Sequence, residues 1–198
     1  MKKFLLTISL LAVTAMAGAQ KSKVVERSAV DVEQGVKEQA QVVRAQASKF
    51  MQMAIDEARM GIRQGHGGPF GTVIVKNGEV VGRGHNCVLR DHDATAHGEG
   101  MAIRDAGRRL GTFDLSGCVL YTTGEPCHMC LCAILWANID KVYYGCTIAD
   151  NGKIGFRDDK FNDIFGGRDK LGDMLIELDR EACLALFDEY NNMQHEGY

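Results

Sequence analysis

The chain lacks an excess of basic side chains: 23 Lys and Arg stand against 26 Asp and Glu, for a formal charge of −3. Long nucleic acid presents a row of phosphates that calls for a cationic surface, so the composition disfavours a polynucleotide partner. An apolar run of membrane-spanning length is also missing. The longest, residues 4–13, falls well short of the roughly 20 residues that a spanning helix needs. Residues 20–47 contain no aromatic side chain and no clear apolar stripe, and are rich in Gln, Val, Ala and charge. There is one tryptophan, and no internal repeat. The seven cysteines do not make a simple disulfide framework, because two are claimed below as ligands and an odd five remain.

What is present begins with an N-terminus patterned like a secretory signal. Lys2-Lys3 is a short basic stretch, residues 4–13 are apolar, and Ala17-Gly18-Ala19 has the small-x-small pattern of a cleavage site. Residues 1–19 are therefore expected to be a signal peptide, which sends the protein to a bacterial periplasm or outside the cell and leaves it with no membrane attachment. Its loss removes two lysines and takes the formal charge from −3 to −5. Residues 20–47 read as a polar extension, flexible or a loosely docked helix. Residues 48–198 read as one domain, large enough to bury a core without disulfide staples. Most of the five remaining cysteines are expected to be buried apolar thiols. His66, His85, His92 and His195 belong to no motif and receive no role.

Within the domain, Ser48 is expected to cap a helix whose apolar positions Phe50, Met53, Ile55, Ala58 and Ile62 recur at helical spacing. A strand is expected over 70–76 and another over 79–85, joined by the tight-turn pair Asn77-Gly78. His97 opens a helix that runs to about Leu110, 117–123 is a strand, 127–137 a helix and 141–145 a strand. Residues 146–172 form a long Gly-rich loop, 175–178 an edge strand and 180–192 a terminal helix. Strands alternating with helices after an opening hairpin imply an α/β fold: a three-layer α/β/α domain with a mixed central sheet.

The chemistry lies in His97-Gly98-Glu99 and Pro126-Cys127-His128-Met129-Cys130. One imidazole and two thiolates suit zinc, and three protein ligands leave the fourth tetrahedral position open to water, the mark of a catalytic site. Cys127 and Cys130, at i and i+3, share one helix face, and a helix N-terminus favours thiolates. Glu99 lies roughly 200° round an ideal helix from His97, so the two divide the work as proton shuttle and ligand. A closed structural zinc site would need a fourth ligand such as His128 or Cys132. A redox reading of Cys127-x-x-Cys130 leaves His97 and Glu99 unexplained.

These residues, within a stretch of about 48–165, resemble the cytidine-deaminase-like superfamily of zinc deaminases. Gly67-Gly68-Pro69-Phe70-Gly71, Asn86, Thr95-Ala96-His97 and Gly155-Phe156-Arg157-Asp158 are similar to its bacterial guanine deaminase and nucleoside deaminase branch. The resemblance implies Zn2+ held by His97, Cys127 and Cys130, with Glu99 catalytic. It implies a purine walled by Phe70 and Trp136, hydrogen-bonded by Asn86, touched by the backbone at Gly98 and engaged at its amino group by Asp158. It further implies a homodimer in which the C-terminal tail, ending here in Tyr198, reaches the partner's site. The chain departs from the family pattern at Gly98 (usually Ala), Gly124 (often Cys), Ala94 (often Pro) and Arg157 (usually Asp).

The expected activity is hydrolytic deamination of a free purine base, guanine to xanthine plus ammonia. The alternatives are deamination of adenine, cytosine, cytidine or another nucleoside, editing of transfer RNA, and a zinc-bearing binding protein without catalysis.

Overall fold

The computed structural model describes residues 2–159, 161 and 175–194, with side chains from residue 32 onward. The chain divides into two units, Met1–Gln46 and Ala47–Tyr198. The first is helical, part of the helix α1 (Lys2–Arg63), and its side chains from 32 to 46 are all exposed, Val32, Val36, Val42 and Val43 among them. Ser48 is consequently inside a helix and not its cap, which corrects the expected start. No helix among the described residues is long and apolar enough to cross a membrane.

The second unit is a five-stranded mixed sheet in the order β2-β1-β3-β4-β5. The strands are β1 (Gly71–Lys76), β2 (Glu79–His85), β3 (Cys118–Gly124), β4 (Lys141–Cys146) and β5 (Leu175–Glu177). β1 runs antiparallel to both β2 and β3, whereas β3, β4 and β5 are mutually parallel. Asn77 and Gly78, at φ 52 and 81, make the β1–β2 turn, where both central residues need the left-handed region. The helices are α2 (Val88–Asp91), α3 (Gly98–Leu110), α4 (His128–Trp136), α5 (Ile148–Lys153) and α6 (Arg180–Asn191). α2 and α5 were not expected. Each is a short element inside a stretch whose polar composition reads as loop.

Alternation along the strands makes the layers. Val73 and Val75 of β1 and Tyr121 of β3 face one core, together with residues 47–62 of α1 and Cys183, Leu186 and Phe187 of α6. Ile74 and Leu120 face the other, with Ala102 and Ala106 of α3 and Ile134 of α4. The register pairs Val73 with Tyr121 and Ile74 with Leu120, so facing residues enter the same layer. This is the expected three-layer arrangement. On α4, Ile134 is buried, whereas Met129 and Leu135 are exposed.

Candidate metal centre and active site

Two helix N-termini meet at the ends of this sheet. β3 ends at Gly124, and Glu125 is held across to β4 by its amide, which donates to the Cys146 carbonyl at 2.7 Å. Cys127 then stands as the N-cap of α4 and His97 as the N-cap of α3, both in extended backbone. The cap position places each side chain beside the unpaired amides and the positive end of its helix. His97 Nδ1 lies 3.6 Å from Cys127 Sγ. The ligand atoms of His97, Cys127 and Cys130 all lie within 4.8 Å of one another. One nitrogen and two sulfurs at this spacing fit a tetrahedral zinc ion with one open place. Cys132 is exposed, and no fourth His, Cys, Asp or Glu joins the group among the described residues.

The groups of the cluster shift one another's protons. A hydrogen bond from the Cys130 thiol, with the neighbouring His97, holds the Cys127 thiol far below its usual range. Cys130 is raised in turn, by that same hydrogen bond and by burial. Burial alone would depress the His97 imidazole, but Cys127, Glu99 and Asp158 together lift it. Glu99, in the first turn of α3, is 5% exposed. Burial, then the Cys127 thiolate, pushes its carboxyl up to about 7, within reach of the pH at which a proton carrier works best.

The loops beside the cluster are tied together by main-chain bonds. The Phe70 carbonyl accepts the Asn86 amide at 2.8 Å, and the Ala96 carbonyl accepts the Cys87 amide at 2.8 Å. Thr123 Oγ1 accepts from the Gly71 amide and donates to the Pro69 carbonyl. Asn86 is fully buried; its Oδ1 accepts the Val88 amide at 3.1 Å, while its Nδ2 finds no partner. A buried donor left open inside a fully bonded loop is available to a ligand. Gly67 gives Asn86 its room, since a Cβ there would stand 2.0 Å from Asn86 Oδ1.

Phe70 is half-buried among aromatic side chains. Its ring meets Phe156 and Phe187 edge to face, at centroid distances of 4.7 and 5.6 Å. Two of the departures from the family pattern surround it. A Cβ on Gly124 would lie 2.8 Å from the Phe70 ring, and one on Gly98 would lie 2.8 Å from the Phe70 carbonyl oxygen. The two glycines make space for Phe70, whose carbonyl in turn fixes Asn86.

Asp158 is brought near the cluster, close enough to raise His97, and accepts a hydrogen bond from Asn151 Nδ2 at 3.2 Å. Asn151, on α5, is buried, and its Oδ1 finds no partner. Sequence reading missed it, because nothing around Asn151 marks it before α5 is seen to bring it beside Asp158. Trp136 is not brought to the cluster. It ends α4, nine residues or about 13 Å of helix from Cys127, and is 84% exposed. Tyr198 lies outside the described residues.

The fold and this site define a zinc-dependent deaminase of the α/β class. The cytidine and deoxycytidylate deaminase zinc-binding region matches residues 44–146, and the chain belongs to that family. It is 46% identical over 112 residues to the guanine deaminase of Bacillus subtilis (strain 168), covering 57% of this chain and 71% of that protein. It is 41% identical over 105 residues to the tRNA-specific adenosine deaminase of Aquifex aeolicus (strain VF5), covering 53% and 69%. Among solved structures, the guanine deaminase of Nitrosomonas europaea superposes with a TM-score of 0.63 at 28% identity, over 73% of this chain and 84% of that one. The Bacillus subtilis guanine deaminase gives 0.58 at 36%, over 76% and 97%. These relatives, a guanine deaminase and a tRNA-specific adenosine deaminase, overturn the expectation of a periplasmic or secreted protein.

Proposed function

We propose that the chain deaminates free guanine to xanthine and ammonia. The observation that carries the reading is a buried Glu99 carboxyl beside a three-ligand His97, Cys127 and Cys130 cluster. A zinc ion held by those three residues supplies Lewis acidity, which makes water nucleophilic near neutral pH. Glu99 takes the proton that water gives up and delivers it to the ring nitrogen beside the reacting carbon. It then takes the proton of the newly bonded hydroxyl, which becomes the product carbonyl, and passes it to the departing amine. A C–O bond forms, the exocyclic C–N bond breaks, and ammonia leaves.

Asn86 Nδ2 would donate to an acceptor on the base, and Asp158, braced by Asn151, would accept from its amino group. Guanine is favoured over RNA by the 46% identity to a guanine deaminase and by the net negative charge. The 41% identity to a tRNA-specific adenosine deaminase favours a second reading, adenosine deamination in transfer RNA. A substrate panel read out by ammonia separates them. Release from guanine supports the first reading, and inosine formation in transfer RNA with none from guanine replaces it.

The working unit in this reading is a homodimer. Trp136 and Phe113, 84% and 82% exposed, flank a groove of about 690 Å³ between α3 and α4, the kind of apolar surface that association buries. The tail that ends in Tyr198 would complete the partner's site. Sedimentation of the purified chain tests the dimer, and deletion of residues 195–198 tests the tail through kcat/KM.

A further inference from the structure

We propose that His66, His85 and Cys87 form a second metal site, separate from the His97 cluster, which takes a divalent cation of borderline softness, zinc first. The three residues come from the loop after α1, the end of β2 and the residue before α2. Their ligand atoms all lie within 4.8 Å of one another. Two imidazole nitrogens and one thiolate are the donors that zinc selects over hard cations.

His66 Nδ1 and His85 Nε2 stand 2.9 Å apart with the rings stacked, centroids at 5.1 Å. Two ring nitrogens so close cannot both carry a proton, so at least one presents a lone pair towards the cluster. Zinc at about 2.05 Å from each nitrogen needs them roughly 3.3 Å apart. A few tenths of an ångström is within reach of His66, which is only partly buried. Cys87 is buried, and its Sγ lies 3.3 Å from the His85 carbonyl oxygen. On metal binding its thiol proton passes to solvent, and the lone pairs of two nitrogens and one sulfur enter the coordination sphere.

Behind the cluster, His85 Nδ1 is buried and meets no hydrogen-bond partner within 3.5 Å among the described residues, and Glu57 Oε2 stands just beyond, 3.6 Å from it. A metal-bound imidazole with a carboxylate behind its other nitrogen is the usual supporting arrangement of a histidine ligand. Here the carboxylate is in place and only a short approach completes it. The site also has a structural use. Cys87 adjoins Asn86, and His66 adjoins Gly67, which a side chain would drive into Asn86. A metal there would pin both flanks of the loop that presents Asn86.

The experiment counts metal on the full chain, stripped with chelator, reloaded with Zn2+ and desalted. Wild type is expected to hold two equivalents, His66→Gln one, and Cys127→Ser/Cys130→Ser one. Loaded with Co2+, that last double variant should show thiolate-to-metal charge-transfer absorption, which adding Cys87→Ser abolishes. A wild type holding a single equivalent overturns the proposal, as does a His66→Gln variant that keeps two. Should the cysteine variants fail to fold, the count for His66→Gln, altered at a partly exposed side chain, decides alone.

Discussion

His97 Nδ1 and Cys127 Sγ lie 3.6 Å apart although thirty residues separate them in the chain. The distance closes because each is the residue before a helix, and the helices α3 and α4 lie together on one face of the sheet. Two positive helix ends thus converge on a soft donor set. Glu99, two residues into α3, is carried to the same place.

Removing the proton carrier should leave the metal. Glu99→Gln is expected to retain one zinc at His97, Cys127 and Cys130, and to lose about 10²–10⁴-fold in kcat. Metal analysis and ammonia release on the same sample check it, and a variant that turns over at the wild-type rate removes Glu99 from its role.

Removing a ligand should have the opposite pattern. Cys130→Ser is expected to lose that zinc and the activity together, while a chelator applied to wild type reproduces the loss and added zinc reverses it. Inductively coupled plasma analysis beside the assay reads both.

Asn86→Asp keeps the oxygen that accepts the Val88 amide and replaces the open donor by a second oxygen, which also puts an ionisable carboxyl at a buried position. A hydrogen bond to substrate contributes about 1–1.5 kcal/mol, so kcat/KM for guanine should fall about tenfold or more, and the buried carboxyl should lower the melting temperature as well. Unaltered kinetics would show that the base does not reach Asn86.

Asp158→Ala should separate substrates. Guanine turnover is expected to collapse, whereas a base that makes no use of that acid is spared. Equal losses across the panel would mean that Asp158 braces Asn151 and does nothing more.

Asp150 gives a pH-dependent stability. It is buried; burial opposes its ionisation, but Thr147, Lys153 at 2.9 Å and Arg180 at 2.5 Å outweigh that cost and hold its carboxyl below the ordinary range. A carboxyl depressed on folding contributes stability above its unfolded pKa and loses it as the pH falls through the folded value. Asp150→Asn should therefore cost about 2 kcal/mol near pH 7 and flatten the loss of stability below about pH 4. Urea titrations across that range measure both.

The chain itself marked the candidate metal ligands, Glu99 beside them and most elements. A ligand pattern such as His97-x-Glu99 with Cys127-x-x-Cys130 is short-range chemistry, written in consecutive residues. The alternation Val73, Ile74, Val75 likewise states which layer each side chain enters before any partner is known. The Asn77-Gly78 pair fixes its turn because few residues tolerate positive φ. Position along the chain could not show that Trp136 ends α4 in the open, since a lone tryptophan at helical spacing looks equally like core. Nor could it show that Gly98 and Gly124 clear room for Phe70, or that Asn151 braces Asp158. His66, His85 and Cys87 meet only because the loop after α1 crosses the end of β2. Such meetings are decided by the packing of distant segments, a balance of many weak contacts that no local pattern records.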